Sequence, residues 1–416
     1  MNRSKPRILL YSHDTYGLGH LRRTLAIAGQ LARDLPKAHQ LLLTGSMVAG
    51  AFGLPPRLDM VKLPALSKRS SGKYTARALP LSLSDTIAWR KQMILQAVTA
   101  FKPDLVLVDK SPAGVQGELL PTLRYLKTWS PETRLILGMR DIEDEPEATR
   151  AEWAASDVPH LHDEVYDHIL YYGQRSIFDP GPMYEMSPRA TAKLVECGYL
   201  GRDEIEAARP ESIVRRELGI DDQPLVVVTV GGGGDGHDVI KTYLDMLAGW
   251  PGGAPFYSLI VTGPLMAQGK RRLLRQAVQT NHLTLLDFTP DLFSYAAAAD
   301  LVVGMAGYNT VCETLSLGKR AVFVPRVRPR GEQRLRAERL AARGLARMIL
   351  PDDLSPDRLM AEVQAALDSP APTVTLDMNG LSRVSRAVAS LLAPPSASNG
   401  NGHEPQEALA LERMLA

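Results

Sequence analysis

Residues 285–325 read LLDFTPDLFSYAAAADLVVGMAGYNTVCETLSLGKRAVFVP. Short aliphatic runs at Leu283–Leu286, Leu301–Val303 and Ala321–Val324 alternate with stretches at helical spacing, so the segment reads as strand, helix, strand, glycine turn, helix, strand. The turn Gly304-Met305-Ala306-Gly307-Tyr308-Asn309-Thr310 carries the chain from a strand end into a helix. Free N–H groups and the dipole at such a helix start attract a diphosphate. One turn further in, Glu313 can accept hydrogen bonds from ribose hydroxyls, as an acidic residue does in dinucleotide folds. Taken alone, Glu313 serves equally to offset the dipole of its own helix.

Working upstream, runs at Leu225–Val230 and Leu259–Val261 continue the same alternation. The first leads into Gly231-Gly232-Gly233-Gly234-Asp235-Gly236-His237, a loop suited to an anion cradle of backbone amides. It lacks the Lys-Ser/Thr ending of a Walker A loop, which argues against NTP hydrolysis. A second series occupies the amino-terminal half, with runs at Ile8–Tyr11, Gln40–Leu43, Leu105–Val108 and Leu135–Leu137. After the first of these comes Tyr16-Gly17-Leu18-Gly19-His20-Leu21-Arg22-Arg23, and then a helix with Leu21, Leu25, Ala28, Leu31 and Ala32 expected on one face. As a bare G-x-G-H this loop could be only a tight turn with a capping histidine. The fold class is therefore α/β, with two Rossmann-like doubly wound domains.

The length of 416 residues exceeds what one core usually organises. Gly198 to Pro210 is charged and bounded by Gly and Pro, which makes it the expected linker. Domain limits of 1–200 and 201–392 follow, with a final helix that can pack back on the first domain. Residues 393–416, containing PPSASNGNGHEP, are expected to be a disordered tail. Lys plus Arg exceeds Asp plus Glu by two (48 against 46), which gives no whole-molecule field for nucleic acid. Cys197 and Cys312 lack metal-ligand spacing and read as buried thiols. No apolar stretch reaches the ~20 residues of a membrane span, so a cytoplasmic location is expected, free or peripheral at the inner membrane face.

Together these segments resemble the family 28 glycosyltransferases, the group of the bacterial peptidoglycan N-acetylglucosaminyltransferases and the plant galactolipid synthases. The resemblance is strongest across Leu283 to Gly344. It implies a GT-B fold with a cleft between the domains, and a nucleotide-sugar donor, most simply a UDP-sugar. By that resemblance Glu313 binds the ribose diol, while Gly307, Asn309 and Thr310 with their amides bind the diphosphate. Phe288 and the backbone of Thr289 would read uracil. Gly232, Gly233, Gly234 and Gly236 would face the diphosphate from the other side, with Gly17 and Gly19 in the amino-terminal loop. Glu332 and Gln333 stand where the family holds the donor sugar, usually with paired glutamines. Acceptor identity does not transfer; a hydroxyl on a lipid-linked carrier or a glycan is expected.

Inverting transfer needs a base for the acceptor hydroxyl. His20, Asp109 and Asp141 are the candidates, all expected at one sheet edge, and a near-neutral pKa favours His20. No acidic pair of the metal-binding type is evident, so neither metal nor cofactor is expected; the nucleotide sugar is a substrate. The cation-rich run Arg326, Arg328, Arg330, Arg334, Arg336 reads mainly as a solvated face. The loop Leu63 to Leu81, with Lys68, Arg69, Lys73 and Arg77, is expected to meet an anionic acceptor or a membrane surface. Three other readings share these features. Nucleotide-sugar hydrolases carry the G-x-G-H-x-x-R pattern that Gly17, Gly19, His20 and Arg23 match, nonhydrolysing epimerases share the fold, and a non-catalytic sugar-nucleotide sensor would keep the donor half.

Overall fold

The computed structural model describes residues 5–13, 19–68, 74–201, 208–280, 282–372 and 376–393. The chain divides into two units, Met1–Leu200 with Asn379–Ala416, and Gly201–Met378.

The first unit is built on strands β1 (Arg7–Ser12), β2 (His39–Thr44) and β3 (Leu58–Lys62), a short hairpin of β4 (Leu66–Lys68) and β5 (Tyr74–Ala76), then β6 (Leu105–Asp109), β7 (Arg134–Arg140), β8 (His168–Tyr172) and β9 (Leu194–Glu196). Seven of them form a parallel sheet in the order β3-β2-β1-β6-β7-β8-β9. Because every residue of β6 is buried, a continuous apolar run rather than alternation marks this central strand, as expected for a sheet covered on both faces. The strand order reverses between β1 and β6. Loops leaving the carboxyl ends of these two strands therefore flank the crevice where doubly wound sheets bind ligands.

Helix α1 (Gly19–Asp34) starts directly beyond that edge. Its buried face is Leu21, Thr24, Ile27, Ala28 and Leu31 together with Arg23 and Gln30, rotated from the expected stripe so that Leu25 and Ala32 are only half-buried. Helix α2 (Leu83–Phe101) carries Arg90, which is fully buried and donates to both oxygens of the equally buried Glu118 at 2.5 and 2.6 Å. Its remaining nitrogen donates to Pro64 O at 2.6 Å, which fixes the segment leading into the β4–β5 hairpin. Of the basic loop expected at Leu63–Leu81, Arg69 and Lys73 lie outside the described residues; Leu79 and Leu81 are exposed.

The second unit has β10 (Leu225–Thr229), β11 (Tyr257–Val261), β12 (Leu283–Leu286), β13 (Leu301–Gly304), β14 (Arg320–Phe323) and β15 (Arg347–Met348), parallel and ordered β12-β11-β10-β13-β14-β15. Here the reversal falls between β10 and β13. Helices α3 (His237–Gly249), α4 (Tyr308–Ser316) and α5 (Glu332–Ala341) follow β10, β13 and β14. An apolar cluster on one side of the sheet joins Val226, Val228, Ile240, Tyr243, Val303 and Val322, and a second cluster joins Val227, Leu259, Tyr295 and Val302. Cys197 and Cys312 are both buried and form no disulfide.

The second unit ends at Met378. Helix α6 (Gly380–Leu392) belongs to the first unit, where it packs against α1 and where Arg383 donates to Cys197 O at 3.3 Å. The second unit closes on itself at Gly201, whose amide donates to Met378 O at 3.2 Å. Residues 202–207 of the expected linker and 394–416 of the expected tail lie outside the described residues.

Candidate active site

At the β1/β6 reversal, α1 presents His20 and Arg23 one turn apart, and both converge on Asp109 at the end of β6. Arg23 donates from Nε to Asp109 Oδ1 at 2.7 Å and from Nη2 to Oδ2 at 2.8 Å. His20 Nδ1 lies 2.6 Å from the same Oδ2. Burial alone would raise the Asp109 carboxyl, but the Arg23 guanidinium and His20 hold it well below the usual carboxylate range. An ionised carboxylate can only accept, so Nδ1 carries the proton and donates. The 2.9 Å approach of Arg23 Nη2 to Nδ1 is then two donors meeting at one oxygen, not a bond between them.

This tautomer leaves Nε2 with its lone pair, the state a general base requires. Burial lowers the His20 pKa, Asp109 opposes that shift, and Arg23 and Lys110 reinforce it, with a net fall below the ordinary histidine value. The ring keeps 17% of its side-chain surface open, whereas Asp109 keeps 1%. Asp109 thus has almost no surface of its own to offer a ligand. Asp141, the third candidate, is buried, and its carboxylate accepts from the Ile142 amide at 2.7 Å. Gly17 lies outside the described residues, and Gly19 is the first residue of α1.

One neighbour escaped the sequence reading. His13, just beyond β1, stands edge-to-face against His20 with ring centroids 5.3 Å apart. Burial, His20 and Lys110 all push its pKa down, so two neutral imidazoles share this edge. Its signal was present: a histidine at the end of the strand that precedes the glycine loop. Nearby, Glu143 is buried, faces Lys110 and Arg140 at 3.4 Å each, and stays ionised because those cations outweigh its desolvation.

In the second unit the glycine loop after β10 owes part of its composition to packing. A Cβ on Gly233 (φ +88°) would lie 2.1 Å from Thr262 O, and one on Gly236 would lie 2.2 Å from Val230 Cβ. Two amides are already engaged, Gly233 N with Val230 O at 3.2 Å and Gly231 N with Thr229 Oγ1 at 3.4 Å. Any anion cradle therefore draws on fewer of these amides than the sequence suggests, and more on the α4 terminus across the reversal. Gly307 caps α4 with no side chain, and a Cβ there would meet nothing nearer than Thr310 Oγ1 at 4.0 Å, so a ligand can approach the first-turn amides. Asn309 and Thr310 sit in that first turn, and Glu313 is buried one turn on.

Phe288, in the loop after β12, is 40% exposed; the neighbouring Thr289 Oγ1 accepts from Asp291 N at 3.1 Å. Glu332 and Gln333 are buried at the start of α5. Two arginines of the expected solvated face are instead built into the site. Arg336 is buried, donates to Ala306 O at 2.8 Å and lies 5.8 Å from the Tyr308 ring, which pins α5 to the turn before α4. Arg326 donates to Asp235 at 3.0 Å and to Glu332 at 2.5 Å, while its amide donates to Gln333 Oε1 at 3.1 Å.

Against known structures the chain is similar to CalG4, the calicheamicin glycosyltransferase, with TM-score 0.57 and 15% identity over 99% of both chains. It is also similar to Acinetobacter baumannii MurG, with TM-score 0.55 and 15% identity over 93% of this chain and 99% of that one. Identity this low speaks for fold alone, and the fold is GT-B. Residues 225–387 match the glycosyltransferase family 28 C-terminal domain. Over those residues the chain is similar to the family 28 glycosyltransferases. An uncharacterized glycosyltransferase of Methanopyrus kandleri is 26% identical over 207 residues, 49% of this chain and 56% of that protein. The UDP-N-acetylglucosamine--N-acetylmuramyl-(pentapeptide) pyrophosphoryl-undecaprenol N-acetylglucosamine transferase of Vibrio vulnificus (strain YJ016) is 24% identical over 259 residues, 61% of this chain and 69% of that protein. These matches span from just over half to about two thirds of the relatives' length.

Proposed function

We propose that this protein is an inverting hexosyltransferase that moves a sugar from a UDP-sugar to a hydroxyl acceptor, with His20 as general base. The observation that carries the reading is the Asp109–His20 pair, which fixes the proton on Nδ1 and leaves Nε2 basic at the sheet reversal of the first unit. In the reaction the acceptor oxygen attacks the anomeric carbon as Nε2 takes its proton. The bond from that carbon to the β-phosphate oxygen breaks, and UDP leaves with the electron pair. Charge on the departing diphosphate is met by the α4 terminus, Glu313 takes the ribose, and Phe288 stacks on the base. Glu332 and Gln333 face the sugar. Domain closure must bring acceptor and donor together for this step.

The acceptor we propose is lipid-linked, on the model of the Vibrio vulnificus relative, whose acceptor is a pyrophosphoryl-undecaprenol. No helix among the described residues is long and apolar enough to cross a membrane. Such an acceptor would be met at the membrane surface, with exposed Leu79 and Leu81 beside the basic hairpin as the contact. A second reading keeps the same machinery: Arg23 on Asp109 completes the G-x-G-H-x-x-R pattern, and a base made this way can activate water in a hydrolase. Incubation with a panel of UDP-sugars, with and without lipid-linked acceptors, tests the proposal. Acceptor-dependent release of UDP supports transfer; release equally fast without acceptor favours the hydrolase, and no release from any donor refutes both.

A further inference from the structure

Arg326 follows β14, yet its guanidinium does not stay over that strand. Nη1 reaches Asp235 Oδ2 at 3.0 Å, and Asp235 belongs to the glycine loop after β10. In the sheet, β13 lies between β10 and β14. A side chain that starts beyond β14 and contacts the loop beyond β10 must cross the carboxyl end of β13, where Gly307 opens α4. The cation is therefore held at the helix terminus to which the proposed function assigns the diphosphate.

We infer that Arg326 is a diphosphate-binding residue, an assignment that rests on that reading of the donor site, and that it exchanges its bond to Asp235 for one to the leaving diphosphate. Its two carboxylate partners are unequal. Glu332 keeps 6% of its side-chain surface open and anchors Nη2, whereas Asp235 is 41% open. Ion pairs with exposed carboxylates are weak and screened by salt, so Asp235 is the partner a doubly charged phosphate displaces. Among the described residues Nε is buried with no hydrogen-bond partner, which leaves a further donor on the fork. A planar guanidinium so equipped binds phosphate oxygens in bidentate fashion, and it adds a fixed positive charge where the helix terminus offers only partial ones. Asp235 serves as a placeholder that keeps the fork aimed while no nucleotide is bound.

Calorimetry with UDP and with uridine separates the diphosphate from the rest of the nucleotide. Arg326→Gln should weaken UDP binding about 10- to 100-fold, the range of one lost charge-assisted hydrogen bond, and leave uridine within about twofold. Asp235→Asn should act in the opposite direction and tighten UDP binding about two- to fivefold at low salt, because a weak competitor is removed. This opposite sign is the decisive feature, since a pair that only buttressed the loop would make both variants weaker. An unchanged ratio of UDP to uridine affinity in Arg326→Gln, or a parallel loss in Asp235→Asn, overturns the assignment of Arg326 while leaving the donor site standing. Wild-type protein that binds neither UDP nor uridine overturns the donor site, and the assignment with it.

Discussion

Replacing Asp109 by asparagine removes the one anion that Arg23 and His20 share. The carboxylate accepts three bonds, at 2.6, 2.7 and 2.8 Å, and both it and Arg23 are buried. An asparagine can accept through one oxygen only, and it takes away the carboxylate that faces the buried Arg23 guanidinium on two nitrogens. Breaking a buried pair from one side costs about 3 to 5 kcal/mol. For a unit of this size each kcal/mol lowers the melting temperature by about 2 to 4 °C, so Asp109→Asn should lower it by roughly 6 to 20 °C. Domain stabilities are about 5 to 15 kcal/mol, so most of the variant should still be folded at 25 °C. Removing both charges with Arg23→Met and Asp109→Leu should recover most of the loss, since the buried cation is then removed together with its carboxylate. The assay is thermal unfolding by circular dichroism, following the transition of the first unit. A single variant that melts within about 2 °C of wild type, or a double variant no better than the single one, would refute the argument that this is a mutually compensating buried pair.

The donor site and the acid response give further tests. Glu313→Gln should weaken UDP binding roughly tenfold by removing charge-assisted ribose bonds, and calorimetry showing unchanged affinity would return Glu313 to a purely helical role. The second unit should prefer UDP over ADP and GDP, with Phe288→Ala reducing that preference; equal affinity for the three nucleotides sinks the base assignment. His162 is buried against Trp153, ring centroids 4.9 Å apart, and burial lowers its pKa to about 4. Its folded pKa lies below the unfolded value of about 6.5, so the unfolded chain takes up a proton first as pH falls, and stability is lost between those limits. That loss is about 3 kcal/mol by pH 4, and His162→Phe should remove it from urea unfolding curves; an unaltered pH slope would contradict the assignment.

Legibility in the sequence followed the kind of force involved. Aliphatic runs such as Leu225–Val230 marked the buried parallel strands because burial on both faces demands continuous apolar side chains. β8, His168–Tyr172, carries histidine and tyrosines in an equally buried strand, and β3 mixes Asp59 and Lys62 into its run, so neither stood out. The glycine loops and helix starts were visible because their geometry restricts residue type locally. Arg326 and Arg336 read as surface because their partners, Asp235 and Ala306, lie 91 and 30 positions away. The packing of α6 against α1 joins segments far apart in the chain, so its particular contacts carry no local pattern.

Proton transfer and nucleotide binding are proposed to reside in different units, with His20 responsible for the first. UDP-sugar turnover with acceptor, measured across pH for wild type and His20→Ala beside calorimetric UDP affinity, tests it directly. UDP affinity should be nearly equal, turnover should fall about 10²- to 10⁴-fold, and the variant should lose an acid limb that in wild type lies below the ordinary histidine value, as the lowered pKa of His20 requires. Full turnover in His20→Ala, or an acid limb that persists unchanged, would contradict it.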